Sequence, residues 1–195
     1  MTAISELENQ ISVGQRPVEQ RSALPKTLAE FLEWEPEDGF KYEWNDGEII
    51  QFNGMDKKEM YMFDLLLDLL IEKGLKKNGT LIAEQNVMLT GIQMRRPDIA
   101  YFSKIQMQNG RNGIDEIPEF VIEVISSNDN LNKVEEKLTE YFKAGVKVVW
   151  KILPEHKIVY VYTSRKTVQI CMDNDICSAN PVLPEFEIRV GEIFG

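Results

Sequence analysis

The chain has 195 residues, with 22 Lys and Arg against 32 Asp and Glu, for a net charge of −10. That length suits one well-packed globular domain. The acidic balance argues against adhesion to nucleic acid over the whole surface and leaves only a local basic cleft for such a partner. No apolar run is long enough to span a bilayer, because the longest, residues 65–71, is interrupted by Asp68.

Residues 1–20 are polar and acidic, without the basic and then apolar order of a secretory signal. Cys171 and Cys177 make neither a disulfide framework nor a zinc site, so a reducing cytoplasm is the expected location. Residues 1–24 end at Ser22-Ala23-Leu24-Pro25 and read as a loosely held arm, with the folded domain expected over 25–195.

Thr27 and Glu30 have capping-box spacing and predict a short helix carrying Phe31, Leu32 and Trp34. Residues 40–44 and 48–52 predict a hairpin around Asn45-Asp46-Gly47. Residues 56–73 predict a long helix with one apolar stripe of Phe63, Leu66, Leu67 and Leu70 and a second row of Met62, Leu65 and Leu69. A helix apolar on two sides has more than one neighbour, which points to a homodimer. Residues 80–90 alternate as one strand, and residues 91–94 read as a turn. A strand starting at Arg96-Pro97-Asp98 follows, then a long polar loop over 103–117. The β-branched run Phe120-Val121-Ile122-Glu123-Val124-Ile125 is a central strand, and residues 131–144 are a second helix ended by Gly145. Strands over 146–153, 157–162 and 168–172 come next, with 174–184 irregular. This order predicts an α/β or α+β domain with a mixed sheet.

Two acids stand out. Glu123 lies in a run that should be buried, and Asp98 starts the preceding strand. An ionised carboxylate there must be neutralised or hold a cation. With the strands adjacent, Asp98 and Glu123 converge on one hard cation such as Mg²⁺, to which the Val124 carbonyl adds a ligand. The plainer reading is that each acid simply ends a strand in solvent. Glu59 is a third acid on the long helix, read either as a site residue or as a first-turn acid complementing the helix dipole. On a helical wheel Lys137 falls roughly 90° from the apolar stripe, which alone makes it an ordinary surface lysine. The lone His156 excludes a histidine-rich metal site. Phosphate-cradling Gly-rich loops, nucleophile elbows and zincin motifs are missing from the sequence.

Together these stretches resemble a known family. Tyr42-Glu43-Trp44-Asn45-Asp46-Gly47-Glu48-Ile49 is similar to its hairpin, Arg96-Pro97-Asp98-Ile99-Ala100 to its "PD" strand, and Phe120 to Ser126 to its "EVLSPS" strand. Lys137-Leu138, Tyr141, Ala144-Gly145-Val146 and Trp150 follow its helix and next strand, and Val159 to Tyr162 and Leu183-Pro184-Glu185-Phe186 fit as well. The family is the putative restriction endonuclease family abundant in cyanobacteria, within the PD-(D/E)XK nuclease superfamily. The resemblance implies a restriction-endonuclease-like α/β fold, a central mixed sheet flanked by helices, and hydrolysis of DNA phosphodiesters with Mg²⁺ or Mn²⁺. It makes Asp98 and Glu123 the metal carboxylates. The superfamily lysine two residues after the Glu is absent, since Ile125 stands there, and Lys137 matches the family's helix lysine as its substitute. Glu59 lies near the position of a first-helix Glu in the superfamily, where the family commonly has His, and Ser127 replaces the usual Pro. A rival expectation is an inactive nuclease fold serving as a DNA- or protein-binding module, favoured by the acidic charge and the missing in-motif lysine.

Overall fold

The computed structural model describes residues 24–195 except residue 128, so nearly all of the arm expected over 1–24 lies outside the described residues. In chain order the elements are α1 (Leu28–Leu32), β1 (Lys41–Asn45), β2 (Glu48–Phe52), α2 (Lys57–Glu72), β3 (Gly79–Ala83), β4 (Val87–Thr90), β5 (Gln93–Arg95) and β6 (Ile99–Ser103). Then follow α3 (Lys104–Arg111), β7 (Phe120–Val124), α4 (Leu131–Ala144), β8 (Val148–Leu153), β9 (Ile158–Ser164), β10 (Thr167–Met172), β11 (Ile176–Ala179), β12 (Leu183–Arg189) and α5 (Val190–Phe194).

The central sheet has the order β10-β9-β8-β7-β6-β3 and is mixed. Among the described strands only β7 and β8 run parallel, joined by α4 as the crossover such a pair requires. Its strands β7 and β8 are buried almost throughout, as their β-branched runs demand. On one face, α2, β11, β12 and α5 cover Ile99, Phe120, Ile122 and Trp150, with Phe120, Trp150 and Phe186 in mutual ring contact. On the other, Leu138 and Tyr141 of α4 pack with Val87, Leu89, Ala100, Val121 and Val149. A second sheet, β2-β1-β5-β4, closes over that side, with α1 packed on Tyr42, Trp44 and Met94.

The caps at Thr27/Glu30, Asp56/Glu59 and Asn130, and the αL Gly145, bound the helices where their residue types place them. Asp46 and Gly47 both have positive φ, which the tight hairpin turn needs. Four expectations are corrected. Residues 80–90 are two strands in different sheets, broken where Glu84 takes φ 49°, so Leu81 and Val87 face different cores. Gln93 and Met94 belong to β5, leaving only Gly91 and Ile92 as the turn. Residues 103–117 contain α3, nucleated by a Ser103–Gln106 capping box. The stretch 174–184 contains β11, paired with β12. No described helix is long and apolar enough to cross a membrane. The outer side of α2 leaves Met60, Tyr61 and Ile71 exposed.

α4 is pinned at its outer edge by Glu135, which accepts hydrogen bonds from Lys151 Nζ at 2.6 Å and Arg165 Nη1 at 2.9 Å. Burial pushes the Glu135 carboxyl up, but these two partners more than offset that and hold it below its ordinary value.

Two outcomes follow from this packing. Gly79 is buried opposite Ser103, and a Cβ there would overlap the Phe102 carbonyl and the Tyr101 ring, so Gly79→Ala should lose about 2 kcal/mol or more in urea unfolding. Glu135 has a depressed folded-state pKa, so its stabilisation is present above its unfolded value and lost as pH falls through the folded one. Glu135→Gln should therefore cost under about 1 kcal/mol at neutral pH, given its solvent screening, and thermal melts should show the gap closing on acidification.

Candidate active site

Register alone brings the two strand acids together. Ile99 pairs with Ile122 across β6 and β7, so Asp98, one residue earlier, comes opposite Glu123, one residue later. Side chains directly opposite share a face. Here it is the α4 face, because Ala100 and Val121, the next opposed pair of that parity, pack against Leu138 and Tyr141. Asp98 is half-buried, and its Oδ2 accepts a hydrogen bond from the Val124 N–H at 2.6 Å. Val124 thus contributes its amide to the site. Burial raises the Asp98 carboxyl well above its ordinary value, and the Glu123 charge adds to the rise, with Lys137 and the Val124 amide opposing. Glu123 is buried and fully engaged. Its Oε1 accepts from the Tyr141 hydroxyl at 2.5 Å and its Oε2 from Lys137 Nζ at 2.9 Å. Burial raises its pKa too, against the pull of Lys137.

Lys137 is no surface lysine. From the flank of α4 it reaches inward, and Nζ lies 2.9 Å from Glu123, 3.0 Å from Glu43 and 3.4 Å from the Arg96 carbonyl. The Phe52 and Tyr141 rings each lie 6.0 Å from it. Burial pushes the ammonium pKa down, but Glu123, Glu43 and Asp98 outweigh it and leave it raised, so the group is a fixed cation at any physiological pH.

Behind Lys137 runs a chain of alternating charge that sequence reasoning missed. Glu43 Oε2 accepts from Arg95 Nη1 at 3.1 Å, and Arg95 Nε donates to Glu140 Oε2 at 2.6 Å. The Arg96 N–H donates to Glu43 Oε1 at 2.7 Å, and Gln93 Nε2 donates to Glu140 Oε1 at 3.2 Å. Glu43, Arg95 and Glu140 are all buried. Burial lowers the Arg95 pKa, but its two acids outweigh that and raise it. Strand alternation puts Glu43 on the face opposite Tyr42 and Trp44 but does not say that this face is covered. Its signal was the position of Glu140 three residues after Lys137, one flank of α4 offering both signs.

Glu59 is placed differently. Its Oε2 closes the α2 capping box on the Asp56 N–H at 2.6 Å, although its charge still contributes to raising Asp98. Ile125 lies one residue past the end of β7, its N–H donating to the Ile152 carbonyl, so the position two residues after Glu123 holds an apolar side chain tied to the sheet. Among the described residues no three His, Cys, Asp or Glu side chains come close enough to cage a metal. The carboxylate pair is the available donor set, and Asp98 Oδ1 makes no hydrogen bond among the described residues.

The family model described as "Putative restriction endonuclease" (Uma2) matches residues 28–191, which include Asp98, Glu123, Lys137 and the Glu43–Arg95–Glu140 chain. Among solved structures, the crystal structure of a putative nuclease of the DUF820 group from Anabaena variabilis has a TM-score of 0.73. It is 21% identical, and the similarity covers 87% of this chain and 98% of that one, which establishes a common fold. No curated protein matches the chain. With a match that spans both strands and the helix of the site, the chain belongs to the Uma2 family of putative restriction endonucleases.

Proposed function

We propose that this protein is a metal-dependent endonuclease that hydrolyses DNA phosphodiester bonds at Asp98, Glu123 and Lys137, with Mg²⁺, or Mn²⁺ in its place, as cofactor. The observation that carries the reading is the convergence of these three groups from β6, β7 and α4, with the cation supplied by the helix because Ile125 occupies the strand position.

The donor set fits a hard divalent ion. Two carboxylates crowd one another, one oxygen of Asp98 is unbonded, and Mg²⁺ is ordinarily held by one or two carboxylates with water and substrate oxygens completing its shell. Asp98 and Glu123 would hold it, with the Val124 carbonyl as the nearby backbone candidate. When bound, such an ion polarises a phosphate oxygen and lowers the pKa of water.

The rest of the chemistry belongs to the chain. Lys137 cannot serve as a base, since its pKa is raised, and acts instead as a fixed cation for charge that develops on the phosphate. Its three N–H donors face Glu123, Glu43 and the Arg96 carbonyl, and the last contact, at 3.4 Å, is the one most readily exchanged for a phosphate oxygen. Glu123 is oriented by Tyr141 and Lys137, so its carboxylate is set before substrate arrives. Glu59 stands outside the reacting group as a charge that raises the affinity of the region for cations.

Incubation with supercoiled plasmid and Mg²⁺ or Mn²⁺ tests the reading. Asp98→Asn should reduce cleavage by about a thousandfold or more and abolish metal binding in calorimetry. It should leave the melting temperature unchanged or higher, because it removes a carboxylate that burial and Glu123 disfavour. Undiminished cleavage by that variant would place the activity elsewhere. Lys137→Met should also abolish cleavage but with the opposite effect on stability, a loss of about 3–5 kcal/mol, because it strands the buried Glu123 without a cation and leaves Glu43 with Arg95 alone. A wild-type protein that neither cuts DNA nor binds either metal would instead be a nuclease fold used for binding.

A further inference from the structure

We infer that Arg96 is the substrate-strand phosphate contact of this site, its guanidinium binding a DNA phosphate beside the scissile one at the Asp98–Glu123 pair. The inference rests on the proposed action on DNA for the identity of the ligand. It follows from how fully the residue is fixed while its charge is left unanswered.

Three bonds hold Arg96. Its N–H donates to Glu43 Oε1 at 2.7 Å, its carbonyl accepts from Lys137 Nζ at 3.4 Å, and its Nε donates to Asn86 Oδ1 at 2.6 Å. Pro97 follows, which restricts the Arg96 backbone to the extended region. The residue is therefore tied to both ends of the Lys137 system and stands two residues from Asp98, roughly 7 Å along an extended chain.

The partner of its side chain is a neutral amide, not an acid. Every other cation around the site has a carboxylate. Lys137 has Glu43 and Glu123, Arg95 has Glu43 and Glu140, Lys151 has Glu135, Lys133 has Glu48 at 3.1 Å and Lys41 has Glu84 at 3.6 Å. The terminal nitrogens of Arg96 make no hydrogen bond or ion pair among the described residues. Among the cations around the site, Arg96 is the one held in place without an ion pair among the described residues. With Asn86, Lys41, Glu35 and Met94 it lines a groove of about 340 Å³. Asn86 occupies Nε alone and leaves the two terminal nitrogens as a planar fork, the geometry that pairs with a phosphate. Because the fork is already oriented, little rotamer freedom is lost on binding.

The test is DNA binding, read apart from cleavage. Fluorescence anisotropy of a labelled duplex oligonucleotide, with Ca²⁺ in place of Mg²⁺, would be measured over a salt series for the full chain. Arg96→Gln should weaken binding about tenfold, equally for unrelated sequences, and reduce the log–log salt slope by about one. Arg111→Gln, the same charge loss at the exposed end of α3, should change neither. If thermal melting shows that Arg96→Gln does not fold, Arg96→Lys carries the test. It keeps the charge but loses the fork and the Asn86 bond, and should bind about threefold more weakly at an unchanged salt slope. Wild-type affinity in the folded Arg96 variant, equal loss in the Arg111 control, or no salt-dependent binding by the wild type would overturn the inference. Binding that depends on Arg96 without cleavage in any metal would keep it and remove the nuclease reading instead.

Discussion

A lysine held between two buried carboxylates is the constraint on which the rest depends. Lys137 joins Glu123 of the central sheet to Glu43 of the hairpin sheet, and Arg95 carries the same alternation on to Glu140, back on the lysine's own helix. Taking such groups out of water costs several kcal/mol per ion, which close, well-bonded partners only approximately return. The arrangement is thus poor as a source of stability and good as a specification. Two sheets and a helix have one relative placement in which every one of these charges is answered, and no buried side-chain polar atom among the described residues is left without a partner.

That specification determines the chemistry available. The same lysine that neutralises the interior is the cation at the carboxylate pair, so under the proposed function structural and reactive roles fall on one side chain. Its neighbours also set the sign of its contribution. Acids on two sides keep the ammonium charged, which excludes proton abstraction and leaves electrostatic stabilisation. Asp98 has the reverse situation, burdened by burial and by Glu123, and stands ready for a positive charge that the protein itself supplies only in part.

The legible parts of the fold were those in which local pattern and tertiary demand agree. The β7 run, the capped helices and the Asp46-Gly47 turn were of this kind. Asp98 and Glu123 were legible because a carboxylate is costly in a buried strand and parity puts both on one face. The misreadings came from patterns that stay regular across a break. Residues 81, 87 and 89 keep one alternation, yet Leu81 belongs to one core and Val87 and Leu89 to the other, because the chain changes sheets after Glu84. In α3 the polar composition and two glycines concealed the Ser103–Gln106 cap. Glu43 was invisible for a different reason. Alternation within a hairpin says which side a residue faces, whereas only the docking of α4 and β5 makes that side an interior. Lys137 was legible as a flank position of a helix, but not as a buried one, since its burial comes from the hairpin sheet nearly 100 residues away in sequence.

The separation of the site's parts along the chain has a kinetic meaning. Hairpin β1–β2 and helix α4 each form from neighbouring residues, whereas the Glu43–Lys137 contact closes a loop of more than 90 residues, a step that costs chain entropy before it returns any enthalpy. The two sheets can acquire their separate hydrophobic contacts earlier than the charges can meet. A chain arrested before that meeting would have native strands and helices but an uncompensated interior and no assembled centre. By contact order the ion chain is thus a late-closing part of the fold, and the proposed site would be assembled only with it.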